Sequence, residues 1–265
     1  MELTLFQQVI LGIVQGLTEW LPISSSGFGA LIMANIFGIT DANFIIRELL
    51  FLHLGTFFAA LVYFFTDVKK LTISFFHYKK ASLKTKKTLN FIIVGTIISG
   101  ILGYVLIKFL ENSNLELTGK SITFVIAILL LFTGVIQLKP SRKGRKREEH
   151  LKKKDSVILG ISQGLAVIPG ISRSGITVSA LLLRKFDDTT ALRLSFLLAL
   201  PVILIGNIFL NVNDMTITMY SIFGLFASFF IGFLTIHALM KLSRRINFAW
   251  FVIVFGLLMV IGILI

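Results

Sequence analysis

Five polar side chains crowd one short stretch of an otherwise apolar sequence: Gln15, Glu19, Ser24, Ser25 and Ser26. Gln15 and Glu19 are four residues apart, about one helical turn, so a helix presents both on one face. The serines after Pro22 suit a turn that opens a new helix, where hydroxyls and backbone N–H groups cradle an anion. A second stretch offers Gln163, Ser172, Arg173, Ser174 and Thr177. Arg173 is its only cation, and the planar guanidinium fork matches phosphate oxygens. An acid, several hydroxyls and one Arg together point to a phosphate-bearing ligand. The plainer reading makes the serines close-packing residues and pairs Glu19 with Arg173 as a structural lock.

The two stretches are copies of one motif. Ile10 to Gly27 reads ILGIVQGLTEWLPISSSG and Ile158 to Gly175 reads ILGISQGLAVIPGISRSG, identical at 11 of 18 positions at a constant offset of 148 residues. Shared apolar composition does not produce that identity, so the chain is an internal repeat. We divide it into a first half over residues 1–138, a basic linker over 139–155 and a second half over 156–265.

The elements that must position these residues lie in a membrane. Of the 265 residues, 55% are hydrophobic and only 15% charged, with a mean hydropathy of +0.90. That excludes a soluble globular domain and a disordered chain, and the absence of cysteine excludes disulfides and thiolate metal sites. The opening Met1 and Glu2 lack a basic region, so no cleaved signal peptide is expected. Six uncharged runs approach the length that crosses about 30 Å of hydrocarbon: Leu49 to Thr66, Asn90 to Ile107, Ser121 to Leu138, Leu194 to Asn213, Met215 to Met240, and Asn247 to Ile265. The motifs themselves are shorter and interrupted, by Pro22 and Gly27 in one and by Pro169, Gly170 and Gly175 in the other. Each therefore predicts a re-entrant helix hairpin, in which irregular backbone lines a cavity. A hairpin and three spans per half make the second half inverted relative to the first. In that setting Glu19 and Arg173 each cost about 2.5–3.5 kcal/mol at the bilayer centre, which favours a working site, and a lipid tail is the natural companion of the phosphate.

The net charge of +13 is concentrated in three segments. The stretch after the first span, the linker and the connection around Lys241, Arg244 and Arg245 hold 19 of the 26 Lys and Arg residues. They are cytoplasmic by the positive-inside rule. No aromatic platform or reader motif accompanies them, which argues against nucleic acid as a partner.

At these residues the sequence resembles the undecaprenyl-diphosphate phosphatases of the bacitracin-resistance type over essentially its whole length. The resemblance is carried by QGLTEWLPISSSG, by PGISRSGIT from Pro169 to Thr177, and by SFLLALP from Ser195 to Pro201. It implies an all-α integral membrane protein with six transmembrane helices and two re-entrant hairpins. The implied enzyme is a hydrolase that converts a polyprenyl diphosphate to the monophosphate in carrier-lipid recycling. A carrier-lipid binding or translocating protein on the same scaffold is the alternative. Catalytic residues would be Glu19, Gln15, Ser25 as nucleophile, and Arg173. Glu19 would also hold a divalent cation, Mg²⁺ or Ca²⁺, with no organic cofactor. The diphosphate would lie against Ser24, Ser26, Ser172, Arg173, Ser174 and Thr177. Two positions depart from the family: Phe28 stands where a histidine is usual, and Arg193 where an acid is. His53, on the first span, could substitute as acid or base, though a neutral ring bonded to a backbone carbonyl of a neighbouring helix is its structural reading. The implied setting is the cell membrane, with the polyprenyl lipid as partner and a homodimer as one assembly open to the chain.

The first prediction is topological. With three spans between them, the linker from Lys139 to Lys154 faces the cytoplasm and Ile265 the outside. Single cysteines placed in this cysteine-free chain should label from opposite sides of the membrane, and a residue 265 reached only from inside would refute the inverted arrangement.

Overall fold

A computed structural model describes residues 2–39, 41–112, 144–168, 171–211, 217–243 and 248–264, with isolated positions between 124 and 138. Most of the expected span Ser121 to Leu138 lies outside the described residues, as do Pro169, Gly170 and Ile265. The helices in chain order are α1 (Leu5–Thr18), α2 (Ser25–Leu31), α3 (Ala42–Tyr63), α4 (Phe65–Phe76), α5 (Leu83–Asn112), α6 (Lys153–Leu165), α7 (Arg173–Leu183), α8 (Asp188–Asn211), α9 (Met219–Leu242) and α10 (Phe248–Leu264). Among the described residues there is no strand. Among the described residues, four helices are long and apolar enough to cross a membrane, over Asn43–Tyr63, Leu83–Phe109, Asp188–Phe209 and Met219–Leu242.

Several helices start before the uncharged runs that announce them, because capping rather than hydropathy sets their ends. The Asp41 carboxylate accepts from the N–H groups of Asn43 at 2.9 Å and Phe44 at 3.2 Å, which starts α3 ahead of Arg47 and Glu48. The reciprocal capping box of Thr218 and Ser221 instead starts α9 inside its uncharged run, at Met219. The basic segment after the first span, read as a loop, contains the twelve-residue helix α4. Each motif copy becomes two helices separated by a turn, α1 with α2 and α6 with α7, and the two members of each pair touch. The single helix through α2 loosens into one wide turn at Ile32–Ile36 before the chain leaves it.

The packing of these pairs is reciprocal. Helix α1 of the first motif lies on α9, which follows the second motif, and α6 of the second lies on α5, which follows the first. Glycine makes both contacts close. A Cβ on Gly12 would sit 2.2 Å from the Gly224 carbonyl oxygen, one on Gly16 would sit 2.7 Å from the Gly232 nitrogen, and one on Gly160 would sit 2.7 Å from the Ile98 Cβ. Gly12 and Gly160 are the same position of the repeat. Small residues at helical spacing let the backbones touch where lipid supplies no hydrophobic drive.

Charge outside the core ties the linker to the helices. Arg193 on α8 holds Asp67 of α4 with two nitrogens, at 2.5 and 3.1 Å, and donates its third to Glu148 of the linker. Lys84 on α5 lies 3.3 Å from the other Glu148 oxygen. Arg193 thus stands opposite two acids of its own chain and is absent from the motif cavity. Burial alone would raise the Glu148 carboxyl, but a backbone N–H and the Arg193 and Lys84 charges hold it below the usual carboxylate range. A depressed folded-state pKa contributes stability that is complete at neutral pH and lost as pH falls through the folded value. Glu148→Gln should therefore cost about 1–3 kcal/mol at pH 7, and the gap between wild type and variant in thermal unfolding should close in acid.

Candidate functional site

Four helices deliver one side chain each to the Glu19 carboxylate, at the C-terminal end of α1. Its Oε2 accepts from Gln15 Nε2 at 2.8 Å, from Ser25 Oγ at 2.6 Å and from His53 Nε2 at 3.1 Å, while Oε1 takes the Arg173 guanidinium. Gln15 lies one turn back on α1, Ser25 opens α2, His53 is on α3 and Arg173 opens α7. Glu19 is buried, as are Gln15 and Ser25. The carboxylate is thereby removed from water only in the company of a cation and of donors for both oxygens.

His53 is fixed from its other side. Nδ1 lies 2.6 Å from the Leu49 carbonyl oxygen, which can only accept, so Nδ1 carries a hydrogen. Nε2 then faces a carboxylate oxygen, and the contact needs a proton between the two groups. The neutral ring bonded only to a carbonyl is not what is observed: the imidazole bridges backbone and acid. Arg173 is held by the face of Trp20, 5.2 Å from guanidinium carbon to ring centroid, and Trp20 is in turn fixed edge-on against Phe196. Arg173 Nη1 is buried and has no hydrogen-bond partner.

These groups border a cavity of about 220 Å³. Glu19, Ser24, Ser25, Ser26, His53, Ser172, Arg173 and Ser174 form its polar side. Not all are free to serve it. Ser24 and Ser172 cap α2 and α7 by accepting from Gly27 N and Gly175 N. Ser172 also donates to the Ile23 carbonyl at 3.2 Å, and Ser174 donates to that of Leu21. The two serines thus clasp the turn of the first motif to the helix of the second. Thr177 is fully buried off the cavity, bonded to the Arg173 carbonyl at 2.7 Å and paired with Ser195 at 2.6 Å. Ser25 and Ser26 are the hydroxyls that face the cavity without a capping role. Phe28 is half exposed on α2 and does not line it.

The sequence reading missed Trp20, Gly206 and Asn207. Asn207 was legible as a carboxamide inside an apolar span, whereas the stacking role of Trp20 becomes visible only once Arg173 is seen above its ring.

The fold and the buried charged site define an all-helical membrane protein with its polar chemistry enclosed between two repeated helix pairs. The chain belongs to the bacitracin resistance protein BacA family, whose model matches residues 8–262. It is 42% identical to a protein of Methanococcoides burtonii named undecaprenyl-diphosphatase, over 98% of each chain. A protein of the same name from Haloarcula marismortui is 35% identical over 96% of this chain and 95% of its own. Another from Corynebacterium striatum is 35% identical over 92% and 88%.

The site also carries a prediction for stability. Glu19→Ala leaves Arg173 and His53 without their acceptor and should cost about 3–5 kcal/mol. Ser25→Ala removes one of several donors and should cost about 1 kcal/mol. Thermal unfolding in detergent reads both, and equal losses would mean that the acid is not the hub.

Proposed function

We propose that the protein hydrolyses a polyprenyl diphosphate of the undecaprenyl type to the monophosphate and inorganic phosphate, recycling a carrier lipid. The observation that carries this is Arg173: a guanidinium sharing Glu19 with Ser25, keeping one buried nitrogen without a partner, at the wall of a cavity. A buried unpaired donor of that kind is costly unless an anion completes it. The names of the relatives supply the substrate class.

In this reading the terminal phosphoryl group lies between Arg173 and Ser25. Ser25 Oγ attacks its phosphorus as its proton passes to Glu19 Oε2, and the phosphoanhydride bond breaks toward the polyprenyl monophosphate. His53, whose Nε2 shares a proton with the same carboxylate oxygen, gives that proton to the leaving oxygen, and the proton from Ser25 takes its place between the two groups. Water then releases phosphate from Ser25 by the reverse use of the same groups. Arg173 stabilises charge on the equatorial oxygens throughout. Ser24 and Ser26 flank the attack, while Ser172, Ser174 and Thr177 hold the Arg173 turn in place.

Among the described residues no three His, Asp or Glu side chains gather into a metal cage. Glu19 Oε1 accepts one donor and keeps a lone pair, and the buried Gln15 Oε1 has no partner. These oxygens fit a hard cation that arrives with the diphosphate, because Mg²⁺ is commonly held by one or two carboxylates with substrate phosphates completing the shell. Mg²⁺ or Ca²⁺ there would neutralise phosphate charge.

The wider arrangement belongs to the same proposal. The halves over residues 1–138 and 156–265 are inverted repeats with six spans, α1–α2 and α6–α7 are re-entrant hairpins, the basic segments face the cytoplasm and the membrane is the cell membrane. Reciprocal packing of each pair on the opposite half supports it.

Phosphate release from undecaprenyl diphosphate by purified protein tests the proposal, with Mg²⁺, with Ca²⁺ and with chelator. Arg173→Lys keeps the charge and loses the fork, so turnover should fall at least about tenfold. His53→Ala should lower it by about 10² to 10⁴. Lipid binding with no phosphate release under any condition would instead leave a carrier-lipid binding protein.

A further inference from the structure

The cavity is too small by several-fold for a long polyprenyl chain, so the tail must leave it along a wall. Its polar side is the diphosphate end already described. Beyond these groups the cavity is lined chiefly by α8, which contributes Val202, Ile203, Gly206 and Asn207, together with Leu50 of α3. Val202, Ile203 and Gly206 are spaced by three and four residues and so form one stripe. Along the same direction, Phe209 is 82% exposed.

Gly206 is the informative residue. The glycines of α1, α6 and α9 are explained by neighbours that leave no room for a Cβ, often at less than 3.0 Å. A Cβ on Gly206 would meet nothing within 4 Å among the described residues. Glycine inside a helix costs about 0.5–1 kcal/mol relative to alanine, and no helix contact here requires that expense. Gly100 and Gly262 share the open space but do not line the cavity. One residue on, Asn207 is 95% buried; its Nδ2 donates to the Ile203 carbonyl at 3.1 Å and its Oδ1 has no partner. Gly206 thus leaves an open notch on the cavity wall that no described helix fills.

We propose that Val202, Ile203 and Gly206 of α8 form the exit path of the polyprenyl tail, with Gly206 the notch through which its first isoprene units pass from the diphosphate site toward lipid. This rests on the polyprenyl-diphosphate reading of the site. It makes Gly206 a specificity-determining residue, selecting for long apolar tails without touching the phosphates.

The test compares two ligands in detergent, undecaprenyl phosphate and inorganic diphosphate, by the fluorescence of Trp20 beneath Arg173 in a Trp250→Phe background. Gly206→Leu fills the notch. It should raise the Kd of undecaprenyl phosphate about tenfold or more, and change that of inorganic diphosphate less than about twofold. Val202→Asn, which makes the same stripe polar, should produce the same selective loss, and Gly100→Leu should change neither. Undecaprenyl phosphate binding unaffected by both Gly206→Leu and Val202→Asn overturns the exit path and leaves the diphosphate site standing. Equal weakening of both ligands by the two variants overturns it as well. Wild-type protein that binds neither ligand overturns the polyprenyl-diphosphate reading, and the exit path with it.

Discussion

A carboxylate buried among membrane helices must be surrounded by donors, and the arrangement around Glu19 follows from that constraint. An isolated ion at this depth would neutralise itself or draw in water. Here three hydrogen-bond donors meet Oε2 and a guanidinium meets Oε1. Each donor comes from a different place in the chain, so satisfying one acid fixes the relative positions of α1, α2, α3 and α7. Positioning to a few tenths of an ångström is what chemistry at a phosphorus needs. The interaction that stabilises the fold is therefore the one that organises the site.

The repeat explains how such a constellation can arise, and its two copies have diverged in complementary ways. Ser25 and Arg173 occupy the same repeat position, each the first residue of its helix after a capping serine. One copy supplies a hydroxyl there and the other a cation. Gln15 and Gln163 are likewise equivalent, yet Gln15 serves Glu19 while Gln163 donates to Ser99 at 3.2 Å and to the Leu198 carbonyl at 3.4 Å, near Pro201 of α8. The position equivalent to Glu19 is Val167. Symmetry in the scaffold thus coexists with a polarised site: acid and hydroxyl on one side, guanidinium on the other. A symmetric pair of arginines or of acids would repel at this distance in a medium that screens little.

Much of the site was legible because charge is conspicuous where it is expensive. Glu19 and Arg173 stand out in apolar sequence, and the repeat marks the turns that carry Ser25 and the capping serines. Roles within the set were less legible. Serine looks the same whether it caps a helix, as Ser172 does, or faces a cavity, as Ser25 does, and only the partner distinguishes them. Gly206 was invisible for a related reason: a glycine that admits a ligand and a glycine that admits a helix, such as Gly12, have identical sequence signals. The spans were legible in kind and displaced at their ends. A hydropathy window stops at Arg47 and Glu48, but a helix capped by Asp41 carries both within its first turns.

Phe28 and Arg193, the two positions where the resemblance implies other residues, have separate physical accounts. Arg193 takes its place among Asp67, Glu148 and Lys84, where its charge is matched locally, so that the change of sign is absorbed at the linker and leaves the charge of the cavity untouched. Phe28 lies on α2 outside the cavity, while α3 places an imidazole whose Nε2 meets the same carboxylate oxygen that Ser25 uses. For proton transfer the helix of origin is immaterial; what counts is the atom reached and the hydrogen bond that fixes the tautomer. In the proposed hydrolysis that group is His53, through its contacts with Glu19 and the Leu49 carbonyl. An apolar, half-exposed side chain at position 28 is then free to face lipid, the surroundings that a membrane protein of this composition most easily accommodates.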